Sequence, residues 1–173
     1  MTIEITGRNL ILRPMTQKEH RALWRKYSPD ETDPRGRAAY EYDEEKTDAL
    51  YAAIGEKADW CPVSGIFTKT DEIIGMVQIP RIVFSEKRGD VYVLLANESY
   101  RGKGFGTEAL DLLAECAHRK LGLDRLYADI PATNLRMRRV LEKCGFMNSR
   151  VTNGYYRLAD GDSAAKLDYV KRF

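Results

Sequence analysis

The sequence holds no unbroken apolar run approaching the ~20 residues of a membrane-spanning helix. It has no cationic start leading into a hydrophobic core of the secretory kind either, so a cytoplasmic protein without a membrane partner is expected. Cysteine is scarce: Cys61, Cys116 and Cys144 are far apart and form no CxxC pair, which argues against a disulfide framework and against a zinc site, and no metal is expected. Cys116 and Cys144 fall in helical apolar patterns and read as small core residues. The two histidines, His20 and His118, stand singly among charged, helix-like neighbours and read as surface residues. An excess of one charge is missing too. With 28 Lys plus Arg against 26 Asp plus Glu, the net charge is +2, so no whole-molecule field favours nucleic acid. Internal repeats, low-complexity segments and linkers are absent from the sequence.

What is present is ordinary globular material. The 173 residues are 43% hydrophobic and 31% charged, enough for one domain spanning residues 1–173. "RNLILRPM" (Arg8 to Met15) reads as a short strand stopped by Pro14, and "TQKEHRALWRKY" as a helix opened by a Thr cap. A polar stretch with two prolines follows, and a helical pattern returns from about Ala38 to Ala58. "VSGIFTKTDEIIGMVQIPRIVF" reads as two strands about a "KTDE" turn, with Gly75 a candidate bulge, and "DVYVLLA" (Asp90 to Ala96) as a third. Leu110, Leu113, Ala114, Ala117 and Leu121 then mark one helix face closed by Gly122. "RLYADI" is a further strand, Met137, Val140, Leu141 and Cys144 a further helix face closed by Gly145, and "FMNSRV" and "AKLDYVKRF" supply closing strands. The order predicts an α/β fold with a mixed sheet.

Between the third strand and its helix stands "YRGKGFGTEA", Tyr100 to Ala109. Glycines at alternate positions ahead of a helix let backbone N–H groups approach a phosphate, where the helix dipole adds partial positive charge. "GFGTEA" also satisfies a dinucleotide-binding GxGxxG/A pattern through Gly104, Gly106 and Ala109, with Asp129 placed as its ribose acid. Against that reading, "NESYR" separates the strand from the loop and about ninety residues precede it. The remainder after Cys144 is too short for further βαβ units, so a dinucleotide enzyme is a remote alternative.

The alternative accounts for more of the chain. "YRGKGFGTEAL" resembles the RxxGxG/A signature of the GNAT N-acetyltransferases, through Arg101, Gly104 and Gly106. "NLRMRRVLEKCGF" is similar to that superfamily's later segment running from an Asn to a Gly-Phe pair, with Asn134 and Gly145–Phe146 in register. The opening "NLILRPMT" resembles the ribosomal-protein, RimJ/RimL-like branch. The resemblance implies a mostly antiparallel sheet of six to seven strands with flanking helices and a splayed central strand pair. It implies acetyl-CoA as acyl donor, its pyrophosphate on the backbone of Arg101, Gly102, Lys103, Gly104, Phe105, Gly106 and Thr107, with charge added by Arg101 and Lys103. The pantetheine arm would pair with backbone near Leu94, Leu95 and Ala96, an N–H there facing the thioester oxygen, and Asn134 would bond the cofactor or simply cap its helix.

The implied reaction is direct attack of a neutral primary amine, of a peptide N-terminus, polyamine or small molecule, on the thioester. It needs a base for the ammonium and an acid for the leaving thiolate. Many family members carry a tyrosine acid where this chain has Leu141, and a small residue where it has Met137. Glu98, acting through water, is the candidate base, with a surface loop acid as its plainer reading; Tyr100 is the candidate acid, or a packed aromatic. Glu108 reads as a favourable charge at a helix start. Tyr27 to Tyr51 would form an acceptor wall whose Asp30, Glu31, Asp33, Glu41, Asp43, Glu44 and Glu45 could attract a cation or merely be solvated. A homodimer is compatible with this reading, and so is a domain that binds acyl-CoA without transferring the acyl group.

Overall fold

The computed structural model describes residues 2–30, 40–158 and 161–173. Strands β1 (Ile5–Thr6) and β2 (Leu10–Arg13) open the chain as an antiparallel pair, Ile5 facing Leu12. Helix α1 (Gln17–Arg25) begins at a full capping box: Thr16 accepts from Glu19 N at 3.3 Å while the Glu19 carboxylate accepts from Thr16 N at 2.7 Å. Arg13 donates to Glu19 at 2.7 Å and so fixes the strand-to-helix corner. Helix α2 (Glu44–Glu56) starts later than the pattern from Ala38 suggested, because Asp43 caps it by accepting from Lys46 N at 2.9 Å. Ala38 itself lies outside the described residues.

Strands β3 (Val63–Thr68) and β4 (Ile73–Gln78) reverse at the expected turn, where Asp71 has φ 63°. Their register jumps from Ile66 opposite Gly75 to Phe67 opposite Ile73, so the bulge sits beside Gly75 as anticipated. Strands β5 (Ile82–Val83), β6 (Arg88–Asp90) and β7 (Tyr92–Leu95) lead into helix α3 (Phe105–Arg119). Strand β8 (Arg125–Pro131), helix α4 (Leu135–Lys143), and strands β9 (Met147–Arg157) and β10 (Ser163–Arg172) complete the order.

Among the described residues the strands form two five-stranded sheets, ordered β1-β2-β3-β4-β7 and β5-β6-β8-β10-β9. The expected mixed α/β architecture is present, its six to seven strands cut into shorter pieces for a physical reason. "DVYVLLA" is one extended run that changes partner at Val91. Before it, β6 pairs parallel with β8; after it, β7 pairs antiparallel with β4. Val91 N–H still donates to Tyr127 O at 2.8 Å, and from there β7 and β8 diverge. The β6–β8 ladder is the parallel pairing in these sheets, so a doubly wound dinucleotide sheet is not what this chain builds.

The two faces of the first sheet feed two cores, and on β4 the bulge beside Gly75 breaks the simple alternation, so that residues three apart share a face. On β4, Ile74 and Val77 join a cluster with Leu110, Leu113 and Ala117 of α3; Ile73 and Met76 join one with Leu23 of α1. Sheet β1-β2-β3-β4-β7 is thus covered by α3 on one face and by α1 and α2 on the other. All three cysteines are buried and free, Cys116 and Cys144 in the core as expected. His20 departs from its surface reading. It is 1% exposed, between Trp24 and Tyr51, because α2 closes over that face of α1. His118 is exposed and stacks on Phe173 at 4.3 Å.

Candidate active site

The divergence of β7 from β8 opens a cleft of about 560 Å³, bounded by residues 91–95 of the chain, by the glycine loop and by α4. Gly102 and Gly104 have φ 72° and 86°, in the left-handed region where a Cβ is strained. Gly104 caps α3 directly, so the N–H groups of Phe105, Gly106 and Thr107 have no intrahelical partner and carry the positive end of the helix dipole. Gly106 is helical. A Cβ there would meet Val140 Cγ2 at 3.7 Å and Leu95 Cδ1 at 3.8 Å, midway between the two walls of the cleft. Glycine therefore serves two purposes: backbone conformation at Gly104, and open width at Gly106.

The edge of β7 is defined by hydrogen-bond parity. Ala96 N–H donates to Ile74 O at 2.8 Å and Ala96 O accepts from Ser28 N at 2.8 Å. In an antiparallel ladder the backbone groups of alternate residues turn to alternate sides. Leu94 therefore faces β4 with Ala96, while Val93 and Leu95 turn their N–H groups toward the gap, in phase with Val91 N–H at the apex. The expectation placed on Leu94, Leu95 and Ala96 narrows to Leu95, with Val93 added. Strand parity would have given this, had the partner strand been known.

Arg101 lines the cleft with its guanidinium already engaged. Nη2 donates to Ser28 O at 2.7 Å and to Leu95 O at 3.2 Å, and Nη1 to Glu98 at 3.3 Å. With 11% of the side chain exposed, it clamps the end of β7 to the segment after α1. Lys103 is exposed on the loop. Positive charge on the cleft comes instead from α4, where Arg136, Arg139 and Lys143 line it beside Met137 and Val140. The sequence pattern was read only for its apolar face, which hid this stripe. Asn134 caps α4, its Oδ1 accepting from Met137 N at 3.0 Å, and it also lines the cleft.

The two catalytic candidates do not reach the cleft. Glu98 forms a bidentate pair with Arg136 at 2.6 and 2.8 Å, and that guanidinium holds its carboxyl below the usual range. A base working near neutrality needs the opposite shift. Tyr100 donates its hydroxyl to Glu72 at 2.6 Å, and that bond together with burial raises its own pKa. Leu141 is fully buried in the core. Glu108 does more than favour the dipole. It accepts from Asn9 N at 2.6 Å and Leu10 N at 3.0 Å, tying β2 to the start of α3.

Of the expected acidic wall, two members are engaged in structure. Asp43 caps α2, and Glu44 pairs with Arg21 at 3.0 Å and Arg25 at 2.8 Å. Glu41 and Glu45 are exposed, and Glu31 and Asp33 lie outside the described residues. Asp30 is the carboxylate among the described lining residues, 3.7 Å from Arg136.

The cleft fits a CoA thioester on its own geometry: glycines in the left-handed region and free helix N–H groups at the mouth, basic residues on α4, a splayed strand edge within. Comparison with known proteins agrees. Residues 9–147 match the acetyltransferase (GNAT) domain family. A probable N-acetyltransferase, YjcK, of Bacillus subtilis is 36% identical over 83 residues, which cover 47% of this chain and 46% of that relative. The match thus spans about half the length of that curated relative. Among solved structures, RimL, a ribosomal alpha-N-protein acetyltransferase in complex with coenzyme A, superposes with a TM-score of 0.81 at 19% identity, covering 99% of this chain and 98% of that one. The microcin self-immunity acetyltransferase MccE, in complex with acetyl-CoA and AMP, gives 0.77 at 17% identity, covering 96% and 94%. The glycine loop, the splayed strand and the α4 cap all fall inside the matched residues, and this chain belongs to the GNAT acetyltransferase domain family.

Proposed function

We propose that the chain works as one domain over residues 1–173, in the cytoplasm, transferring acetyl from acetyl-CoA to the nitrogen of a primary amine by direct attack. The observation that carries this reading is the parity of β7, which turns the N–H groups of Val93 and Leu95 into the gap that begins at the glycine loop. Three buried free cysteines suit a reducing compartment.

Bound acetyl-CoA supplies an activated acyl group whose thiol leaves once nitrogen adds. The chain's part is positioning and polarisation. Phe105, Gly106 and Thr107 N–H groups, backed by Arg139 and Lys143, hold phosphate at the mouth. Leu95, beside the glycine loop, would hold the pantetheine amides in strand-like pairing, and Val93 N–H, deeper in the gap, would face the thioester oxygen, where negative charge grows as nitrogen attacks. Arg101 keeps Leu95 in that orientation by binding its carbonyl. Asp30 replaces Glu98 as the group that accepts the ammonium proton, through a water. The long edge strand β9, with Met147, Val151 and Tyr155 exposed along its length, is the surface a homodimer would use, and molar mass in solution tests it.

Thiol release from acetyl-CoA over a panel of amines tests the function. Release with at least one amine, together with a thermal midpoint raised by acetyl-CoA and not by NAD(P)H, is expected. Tight binding without release for every amine would favour a non-catalytic acyl-CoA-binding domain. A shift with NAD(P)H alone would restore the dinucleotide alternative.

A further inference from the structure

The two walls of the cleft are tied to each other by side chains. β7 and the glycine loop form one wall and α4 the other. Glu98, on the single helical turn Glu98–Tyr100 between β7 and the loop, reaches over to Arg136 in the first turn of α4. The contact is bidentate, with Arg136 Nη2 at 2.6 Å and Nη1 at 2.8 Å from the two carboxylate oxygens. Asp30, from the segment after α1, lies 3.7 Å from the same Nη1, so one guanidinium joins α4 to two other segments bordering the cleft.

The backbone that carries Glu98 is firmly held. Asn97 caps its turn, Oδ1 accepting from Ser99 N at 3.0 Å while Nδ2 donates to Lys26 O at 3.0 Å. On the other side Tyr100 is fixed to Glu72, and Arg101 gives Glu98 a second cation at 3.3 Å. The ion pair itself is open to water, with Arg136 46% and Glu98 64% exposed. Exposed pairs of this kind are weak, so the contact can open by rotation of two long side chains while the backbone stays in place.

The gap beneath is narrow. A Cβ at Gly106 would touch Val140 on one wall at 3.7 Å and Leu95 on the other at 3.8 Å, which leaves room for one extended chain. An arm that pairs along β7 is laid between these walls from the side, and a bridge joining the walls must then be open. We propose that the Glu98–Arg136 pair is a strap that opens to admit and release acetyl-CoA and closes over its pantetheine arm, setting the rates of exchange and not the affinity. This rests on the reading of the cleft as the acetyl-CoA site and deepens it. The strap is closed both before and after binding, so it drops out of the equilibrium; the fraction of time it stands open scales entry and exit alike.

The test follows a CoA carrying a fluorophore on its adenine, bound to the full chain and chased with excess acetyl-CoA in a rapid mixer. Glu98→Gln should take up and release the label about three- to fivefold faster, the range an exposed ion pair can supply, with Kd unchanged. Salt near 1 M screens exposed charges, so release from wild type should there rise to meet that of the variant. A Glu98→Cys, Arg136→Cys protein joined by a bifunctional maleimide after loading should hold the label at least tenfold longer than the same protein unjoined. Cys61, Cys116 and Cys144 are buried, which leaves the linker to the new pair. Equal rates in wild type and Glu98→Gln, faster release with unchanged uptake, or release unaffected by the linker each overturns the strap. Those outcomes leave the cleft assignment standing, whereas a wild-type chain that binds no labelled CoA would sink the cofactor reading and the strap with it.

Discussion

Trp24 and His20, one turn apart on α1, are joined by an indole-to-imidazole hydrogen bond of 2.9 Å that α2 buries. This pair makes stability depend on pH in a window of its own. His20 titrates at about 4 in the fold against 6.5 unfolded, chiefly because burial disfavours the cation, with Asp48 partly opposing. As pH falls, the unfolded chain takes up the proton first. Stability is therefore full above pH 6.5 and is lost toward pH 4, by roughly 3 kcal/mol. Carboxylates held low, Glu19 to about 2 and Glu72, Glu98 and Glu108 with it, act below their ordinary range near 4.5. Asp90, raised by burial, has the opposite sign. Urea unfolding of wild type and His20→Gln between about pH 7.5 and pH 4.5 isolates the histidine. A difference between them that stays flat with pH would show that His20 is not buried neutral.

Gly104 and Gly106 should respond differently to alanine. At Gly104 the φ of 86° strains any L residue, so Gly104→Ala should lose about 1–2 kcal/mol of stability as well as cofactor affinity. At Gly106, a helical position, the methyl group meets only ordinary contacts at 3.7 and 3.8 Å. The thermal midpoint should hold or rise, since alanine favours helix. Acetyl-CoA affinity should still fall at least tenfold, about 1.4 kcal/mol, because the new Cβ stands between Leu95 and Val140. Calorimetric binding beside thermal melts separates the two. Unchanged affinity in a folded Gly106→Ala protein would place the cofactor outside this cleft.

The contrast between these glycines also shows what the sequence could and could not convey. Spacing marked both as a phosphate loop, and capping residues such as Thr16, together with the stops at Gly122 and Gly145, located helices closely, because these signals are local. Partner choice is not local. The switch of "DVYVLLA" from β8 to β4 at Val91 leaves no mark in composition, and the parity that turns Leu95 rather than Ala96 toward the gap depends on it. His20 was misread for the same reason. Its sequence neighbours are charged, and what buries it is α2, over twenty residues away.

Arg101 should matter more to the fold than to phosphate. Its guanidinium donates to carbonyls of Ser28 and Leu95 with little exposure, and charged hydrogen bonds of this kind are worth roughly 1.5–3 kcal/mol each. Arg101→Ala should lower the thermal midpoint by several degrees, on the order of 2–4 °C per kcal/mol for a chain of this size. Acetyl-CoA affinity should retain its salt dependence, since Arg139 and Lys143 supply the charge. Arg139→Ala is the complement, with an unchanged midpoint and weaker, less salt-sensitive binding. Loss of salt dependence in Arg101→Ala would return this arginine to the phosphate.

The last expectation concerns the proton that the attacking amine must lose. Glu98 is bidentate on Arg136, below the usual carboxylate range, and away from the cleft, so Glu98→Gln should leave the pH–rate profile where it is and change the rate only a few-fold. Asp30 lines the cleft, within 3.7 Å of the same arginine. If it accepts the ammonium proton through water, Asp30→Asn should lower kcat roughly a hundredfold, the usual size of a general-base contribution, and the acidic limb of the profile should disappear. Cofactor affinity should stay put in both, because neither side chain sits among the phosphate-facing N–H groups. The two variants also share Arg136, so a rate loss common to both, without any change of profile, would trace to a displaced Arg136 and not to a missing base. Equal rates and profiles for wild type and Asp30→Asn would remove Asp30 from the chemistry, and catalysis would then rest on Val93 N–H and on positioning, with the rate following ionisation of the amine itself.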